Sequence, residues 1–111
     1  MTEARFLHDG RAVHFIPTDS LAAGTVVVLN KLVGVTKLDV AAGELGVLAL
    51  DGVYEVRKDA SVFAVGDFAY WDQTTRKVTA TATGNIRLGR VISAATAAEE
   101  QVQVRLEPVT A

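Results

Sequence analysis

The sequence predicts a mainly β protein, a small single-domain β-barrel or sandwich of short strands with an extended N-terminal arm. Short apolar runs rich in β-branched residues recur along the chain between glycines and polar turn residues, a spacing typical of such folds. Residues 77–83, KVTATAT, alternate between apolar and polar positions and predict a half-buried strand. No long helix is predicted, because the alanine-rich residues 94–98 are too few to form a stable helix alone.

Composition limits the classes of function. A chain of 111 residues is one domain, and because aromatic residues are few, its core must be built from Val, Leu, Ile and Ala. The net charge of −2 and the lack of a basic run argue against a nucleic-acid surface and against attraction to anionic membranes. There are no cysteines for disulfides or thiolate sites. Neither a signal peptide nor a membrane span is predicted. We therefore expect a protein that is neither exported by a signal peptide nor inserted into a membrane through such a span.

The N-terminal part of the chain is predicted to differ from the rest. We expect residues 1–17 to form an arm or an edge strand and residues 18–111 to form the compact β domain. Charged and apolar residues are interleaved in the arm, and His8-Asp9-Gly10 is a turn signal. Residues 11–16 read as one short strand that ends at Pro17, because proline cannot donate to a strand ladder.

The domain itself is predicted from apolar runs between turn signals. Gly34 suggests a bulge or a close backbone approach. Asp51-Gly52 is either a hairpin turn or a glycine kink in one bent strand, and apolar residues on both sides favour the kink. Residues 57–59 are predicted as a solvated strand exit. The predicted strands are 26–29, 32–36, 45–50, 53–56, 63–65, 68–72, 77–83, 86–93 and 101–106.

Two stretches of the domain resemble each other. One begins at Gly24 and the other at Gly66, and in each a strand, a Val-Thr pair and later glycines follow at similar distances. The likeness suggests two related hairpin-plus-strand units, or only the general similarity of short hairpins.

Residues that could carry chemistry form no recognisable cluster. His8 and His14 lack the further ligands that a metal site requires. No serine lies in a nucleophile elbow, and no phosphate-binding loop is present. We therefore predict no catalytic residues, no cofactor and no metal site. Four acidic residues are interpreted as solvated turn or strand residues rather than as an acid–base pair: Asp51, Glu55, Asp67 and Asp72.

The adjacent aromatic residues Tyr70 and Trp71 have two interpretations. They could stack on a ligand, but a single tryptophan on a strand of an aromatic-poor domain more often fills the core or an oligomer contact. We interpret Tyr70 and Trp71 as core or oligomer-interface residues.

The order of short motifs along almost the whole chain resembles that of the capsid cement, or head decoration, proteins of tailed bacteriophages and prophages. Each motif alone is only a β-turn signature, and Arg57 stands where many relatives are expected to have a proline before Lys58. The motifs are His8-Asp9-Gly10, Gly24 with VVVL, LVGVT at 32–36, AGELG at 42–46, GVYEV at 52–56, GDFAYWD at 66–72, KVT at 77–79, Gly84-Asn85, Gly89-Arg90-Val91 and VQVRL at 102–106.

The resemblance implies a structural, non-enzymatic virion protein. Such a protein is made in the bacterial cytoplasm and binds the outer surface of the shell formed by the phage major capsid protein. It does so as a homotrimer at local three-fold positions and stabilises the expanded shell. The resemblance implies no cofactor, no nucleic acid, no membrane and no small-molecule substrate as partners.

Within this interpretation, we expect residues 3–15 to contact the capsid by adding a strand to the edge of a capsid sheet. Three alternatives remain open: a small-ligand or carbohydrate-binding β module with Tyr70 and Trp71 as a stacking platform, another virion part such as a head-fibre base, and, least favoured, an enzyme built on the acidic residues and histidines. The capsid-contact candidates are Arg5, Phe6, His8, Asp9, Arg11, Val13 and Phe15.

Overall fold

The computed structural model describes residues 3–7 and 10–107, and in these residues it contains nine strands and no helix. None of the described residues therefore forms a helix with the length and apolar character needed to cross a membrane. The strands are β1 (Ala12–Phe15), β2 (Val26–Leu29), β3 (Leu32–Thr36), β4 (Gly46–Ala49), β5 (Val53–Arg57), β6 (Phe68–Asp72), β7 (Lys77–Thr79), β8 (Ile86–Val91) and β9 (Gln101–Leu106).

The strands form two antiparallel sheets. The four-stranded sheet has the order β1-β4-β3-β2, and the five-stranded sheet has the order β5-β9-β8-β6-β7. The edge strands of the five-stranded sheet approach each other at one parallel bridge between Lys58 and Val78, where the Asp59 N–H donates to the Val78 carbonyl at 3.0 Å. This single bridge does not close a barrel. The prediction of a mainly β, sandwich-like fold is confirmed.

The main core lies between the two sheets. The five-stranded sheet contributes alternate residues of its strands, such as Val102, Val104 and Leu106 of β9, because successive side chains of a strand point to opposite faces. The four-stranded sheet contributes Val26, Val33 and Val35. A second, smaller cluster consists of Phe15, Leu48 and Leu50, with Val13, Leu21, Val27 and Leu32 packed against it.

The segment between β4 and β5 carries the chain from one sheet to the other. Because the two strands do not pair, the hairpin alternative for Asp51-Gly52 is wrong, and the chain bends here with Gly52 at a φ of +104°. Gly34 marks a close backbone approach, as predicted. A Cβ at residue 34 would lie 2.5 Å from both the Ala49 carbonyl oxygen and Leu48 Cγ.

Several predicted strands are shorter in the structure. The strand predicted at 77–83 ends at Thr79, because the Ala80 N–H donates to Ser61 Oγ at 3.1 Å instead of to a neighbouring strand. Residues 80–83 are exposed. The strand predicted at 86–93 ends at Val91, and residues 63–65 contribute only a bridge between Phe63 and Ala95.

The prediction of a solvated exit at residues 57–59 is wrong for Lys58, which is only 4% exposed. Its Nζ donates to three backbone carbonyls, those of Asp59 at 2.8 Å, Thr96 at 2.8 Å and Glu99 at 3.0 Å. An ammonium group has three N–H donors, so each of them can have an acceptor here. Lys58 thereby fixes the turn at Thr96 and Glu99 to the end of β5.

The two stretches that resemble each other in sequence differ in topology beyond their hairpins. In the first, the third strand β4 pairs with β3, the second strand of the hairpin. In the second, the third strand β8 pairs with β6, the first strand of the hairpin. The hypothesis of two related hairpin-plus-strand units is therefore wrong.

Candidate partner-binding surface

The outer edge of β1 carries backbone groups that no other described strand pairs with. β1 is an edge strand whose only neighbour among the described strands is β4, and the Leu50 N–H donates to the Arg11 carbonyl at 2.8 Å. In an antiparallel pair, alternate residues of a strand direct their backbone N–H and C=O groups toward the neighbouring strand, and this bond shows that Arg11 is one of those that face β4. The N–H and C=O groups of Ala12 and His14 therefore point away from β4, and this edge could accept an additional strand.

The described candidate side chains that precede β1 are exposed. Phe6 is 79% exposed, and Arg5 is also exposed. Arg11 is exposed and forms an ion pair of 3.8 Å with Asp51, which is also largely exposed, so the pair contributes little to stability. His8 and Asp9 lie outside the described residues.

The candidates within β1 are placed differently. Phe15 is buried and Val13 is half-buried, and both pack in the second cluster with Leu48. At this surface, a partner would meet the side chains of Arg5, Phe6 and Arg11 and the backbone of β1.

The opposite edge of the four-stranded sheet is β2, which borders a groove of about 400 Å³. The Thr36 N–H donates to the Thr25 carbonyl, so the backbone groups of Val26 and Val28 point away from β3. Arg76 reaches this edge from the five-stranded sheet, and its Nη2 donates to the Val26 carbonyl at 3.0 Å. Its guanidinium carbon also lies 5.2 Å from the centre of the Trp71 ring. Arg76 thus occupies part of the β2 edge.

Tyr70 and Trp71 do not form a common stacking platform, because adjacent residues of a strand point to opposite faces. Trp71 lies in the main core and is 4% exposed. Tyr70 is half-buried on the outer face of β6.

Two of the four acidic side chains considered for chemistry serve as turn acceptors. Asp67 accepts a hydrogen bond from the Ala64 N–H, and Asp72 accepts one from the Thr74 N–H. Among the described residues, which include His14 but not His8, no three metal-ligating side chains come together.

The sequence predicts that Arg87 and Arg90 point out of their strand near Gly89, but it does not predict which side chains they contact. The guanidinium groups of Arg87 and Arg90 both lie against the ring of Phe68, and both contact the carboxylate of Glu107.

A family model described as phage cement protein matches residues 7–106. This chain belongs to the phage cement protein family. The match includes all nine strands and begins at Leu7. No curated protein and no solved structure gave a match.

Membership of the cement protein family confirms the resemblance inferred from the order of motifs. The family is structural rather than enzymatic, and it associates with the phage capsid. This cement protein therefore has a capsid-associated structural role in the virion.

Proposed function

We propose that this cement protein binds the outer surface of the expanded phage capsid and stabilises the shell by clamping neighbouring capsomers. The observation that carries the proposal is the family match over residues 7–106, which spans all nine strands from β1 to β9. In this proposal residues 1–17 are the attachment arm and edge strand, and residues 18–111 are the body. The protein is made in the bacterial cytoplasm before it joins the head.

Attachment occurs by strand addition at the outer edge of β1. A capsid strand placed along β1 would exchange backbone hydrogen bonds with Ala12 and His14, whose backbone groups point away from β4. Exposed Phe6 provides an apolar side chain for a pocket on the shell. Each hydrogen bond contributes only about 0.5–1.5 kcal/mol, but contacts repeated over a symmetric lattice add up.

We further propose that the protein acts as a homotrimer, as the resemblance implies. Three arms held by one trimer would raise the effective concentration of the second and third arms once the first is bound. Avidity of this kind suits a protein whose individual contacts are weak. Light scattering on the purified protein measures its mass directly, and a monomer at all concentrations would contradict the trimer.

The experiment that tests the function mixes the protein with expanded, undecorated heads of its phage and measures co-sedimentation. We expect saturable binding at a fixed lattice stoichiometry, together with a higher temperature of shell disruption. A low copy number per particle would instead indicate a head-fibre base or another virion part. An absence of binding to these heads would overturn the proposal.

Strand addition at β1 has its own test, because the His14 N–H points away from β4. His14→Pro removes that outward donor without removing a ladder bond, and proline is tolerated on such edges. His14→Ala is the matched control for loss of the side chain. We expect head binding to fall about tenfold for His14→Pro relative to His14→Ala. Equal binding of these two variants, together with unchanged binding after deletion of residues 1–11, would exclude this mode of attachment.

A further inference from the structure

A β-bulge places two arginines of β8 on the outer face of the five-stranded sheet. Tyr70 pairs with Arg87 and Ala69 pairs with Gly89, so Leu88 is an extra residue on β8. Residues three apart on a regular strand point to opposite faces, and the extra residue changes this relation. As a result Arg87 and Arg90 share the outer face, while Leu88 and Val91 both enter the core.

The two guanidinium groups are held by the same two side chains. Their carbons lie 4.3 Å (Arg87) and 4.5 Å (Arg90) from the centre of the Phe68 ring. The carboxylate of Glu107 lies 3.6 Å from Arg87 Nη2 and 3.3 Å from Arg90 Nε. Cation–π contact and the shared carboxylate therefore preorganise this pair of cations.

A third arginine of the same face has no acidic partner. Arg105 of β9 lies directly opposite Arg90 in the strand register, and like charges placed opposite each other destabilise a sheet. Arg105 is exposed and forms no ion pair with any described residue. Another acidic residue of this face, Glu55 of β5, pairs with Gln103 in the register and forms no ion pair in the described part of the chain.

This arrangement concentrates positive charge in a protein whose net charge is −2. We call Arg87, Arg90 and Arg105 the arginine face. Among the described residues, Glu107 is the one acid that forms ion pairs with the arginine face, so these four side chains together have a surplus of two positive charges. Its like-charge pair is unfavourable for the isolated fold, and a negatively charged partner would remove that penalty.

We infer that the arginine face docks a carboxylate-bearing, acidic segment of the capsid protein. The inference rests on the proposed function and adds a second contact, separate from β1, to the attachment. Guanidinium groups match carboxylates through paired N–H donors, and here ring contacts and Glu107 already restrict two of them. The half-exposed Phe68 ring supplies an apolar floor beside the charges.

The test measures binding to expanded heads at increasing salt for Arg105→Glu and Arg105→Gln. Arg57→Gln, on the exposed side of β5 in the same sheet, is the matched control for the loss of one positive charge. We expect Arg105→Gln to weaken binding several-fold, Arg105→Glu to weaken it tenfold or more, and both to lower its salt dependence. Arg57→Gln should bind as the wild type does.

Thermal unfolding of the variants without heads is the control for folding, because docking to the capsid does not contribute to the stability of the free protein. Removing the like-charge pair should leave the melting temperature of Arg105→Gln equal to that of the wild type or slightly higher. If both Arg105 variants bind heads with the same affinity and the same salt dependence as the wild type, the docking role of the arginine face is overturned, while the proposed function is not. A changed mass in solution with unchanged head binding would assign the face to contacts between copies and would also overturn it. Failure of the wild type to bind heads would overturn the proposed function and this inference with it.

Discussion

Gly89 of β8 lies directly against the carbonyl group of Arg105 on β9. A Cβ at residue 89 would overlap that oxygen, and the obstacle is backbone, which cannot move aside as a flexible side chain can. Gly89 is thus the residue that lets β8 and β9 approach each other just where Arg90 and Arg105 are opposite.

Gly89→Ala should therefore destabilise the protein strongly. Overpacking against backbone in the five-stranded sheet should lower the free energy of unfolding by about 3 kcal/mol or more. Urea unfolding measures the change, with Gln103→Ala on the exposed side of β9 as the control, expected within about 0.5 kcal/mol of the wild type. A stability for Gly89→Ala close to that of Gln103→Ala would contradict the close approach of the two strands.

Lys58→Met should also be destabilising, although it exchanges a charged side chain for an apolar one of similar length. The three carbonyl groups that accept from Nζ would lose a buried donor, and each unsatisfied acceptor costs about 1–3 kcal/mol unless water reaches it. We expect a loss of about 3 kcal/mol in chemical denaturation. The matched control is Lys77→Met at an exposed position, which should be nearly neutral. Similar losses for the two variants would show that Nζ is not holding the turn.

Asp59 links stability to pH. Burial alone would raise its pKa, but hydrogen bonds from Ser61 and Thr79 and the charge of Lys58 outweigh burial, so the pKa lies below its ordinary value. Because the folded pKa is below the unfolded one, Asp59 contributes stability above about pH 4, and this is lost as the pH falls through the folded pKa.

Asp59→Asn should accordingly lower the melting temperature at neutral pH, and the difference from the wild type should shrink in acid. Thermal unfolding between about pH 7 and about pH 2 tests this. Glu44→Gln, at an exposed position, is the control substitution. A difference between Asp59→Asn and the wild type that stays constant over the whole range would contradict the linkage.

Arg76→Ala should increase self-association. Its guanidinium group donates a hydrogen bond to the Val26 carbonyl, which points outward from the β2 edge. At the other edge of the same sheet, β1 runs antiparallel to β2. Without the Arg76 side chain, the β2 edge could pair with β1 of another copy, and the two strands would be antiparallel. Sedimentation velocity over a range of concentrations should show larger species for Arg76→Ala than for Lys31→Ala, which removes one charge at the exposed hairpin tip. Identical profiles would exclude a protective role for Arg76.

The elements that the sequence predicts well are those formed by local pairing. β2 and β3 follow each other across Asn30 and Lys31, and Asn30 adopts the positive φ of 59° that such a tight turn uses. The pairing of β5 with β9 joins distant parts of the chain and leaves no local signal. The pattern KVTATAT alternates correctly, but it does not reveal that Ser61 ends the strand by accepting from the Ala80 N–H.

The candidate site was only partly predictable for a similar reason. Interleaved charges and apolar residues indicated the arm, and the edge position of β1 is consistent with that interpretation. The inward orientation of Phe15 depends on its register with Gly46, which no property of residues 11–16 determines. The outward orientation of Arg87 and Arg90 is predicted from the sequence, but the bulge that brings them to one face is defined only relative to β6.

The position of β9 between β5 and β8 has a consequence for synthesis on the ribosome. β5 is translated well before β9, which is its antiparallel partner among the described strands, so β5 lacks this neighbour until residues 101–106 have been translated. A nascent or truncated chain that ends before β9 lacks the strand that joins β5 to β8. Such incomplete chains cannot form the five-stranded sheet, and they would expose the unpaired edges and the apolar side chains that β9 covers in the complete domain.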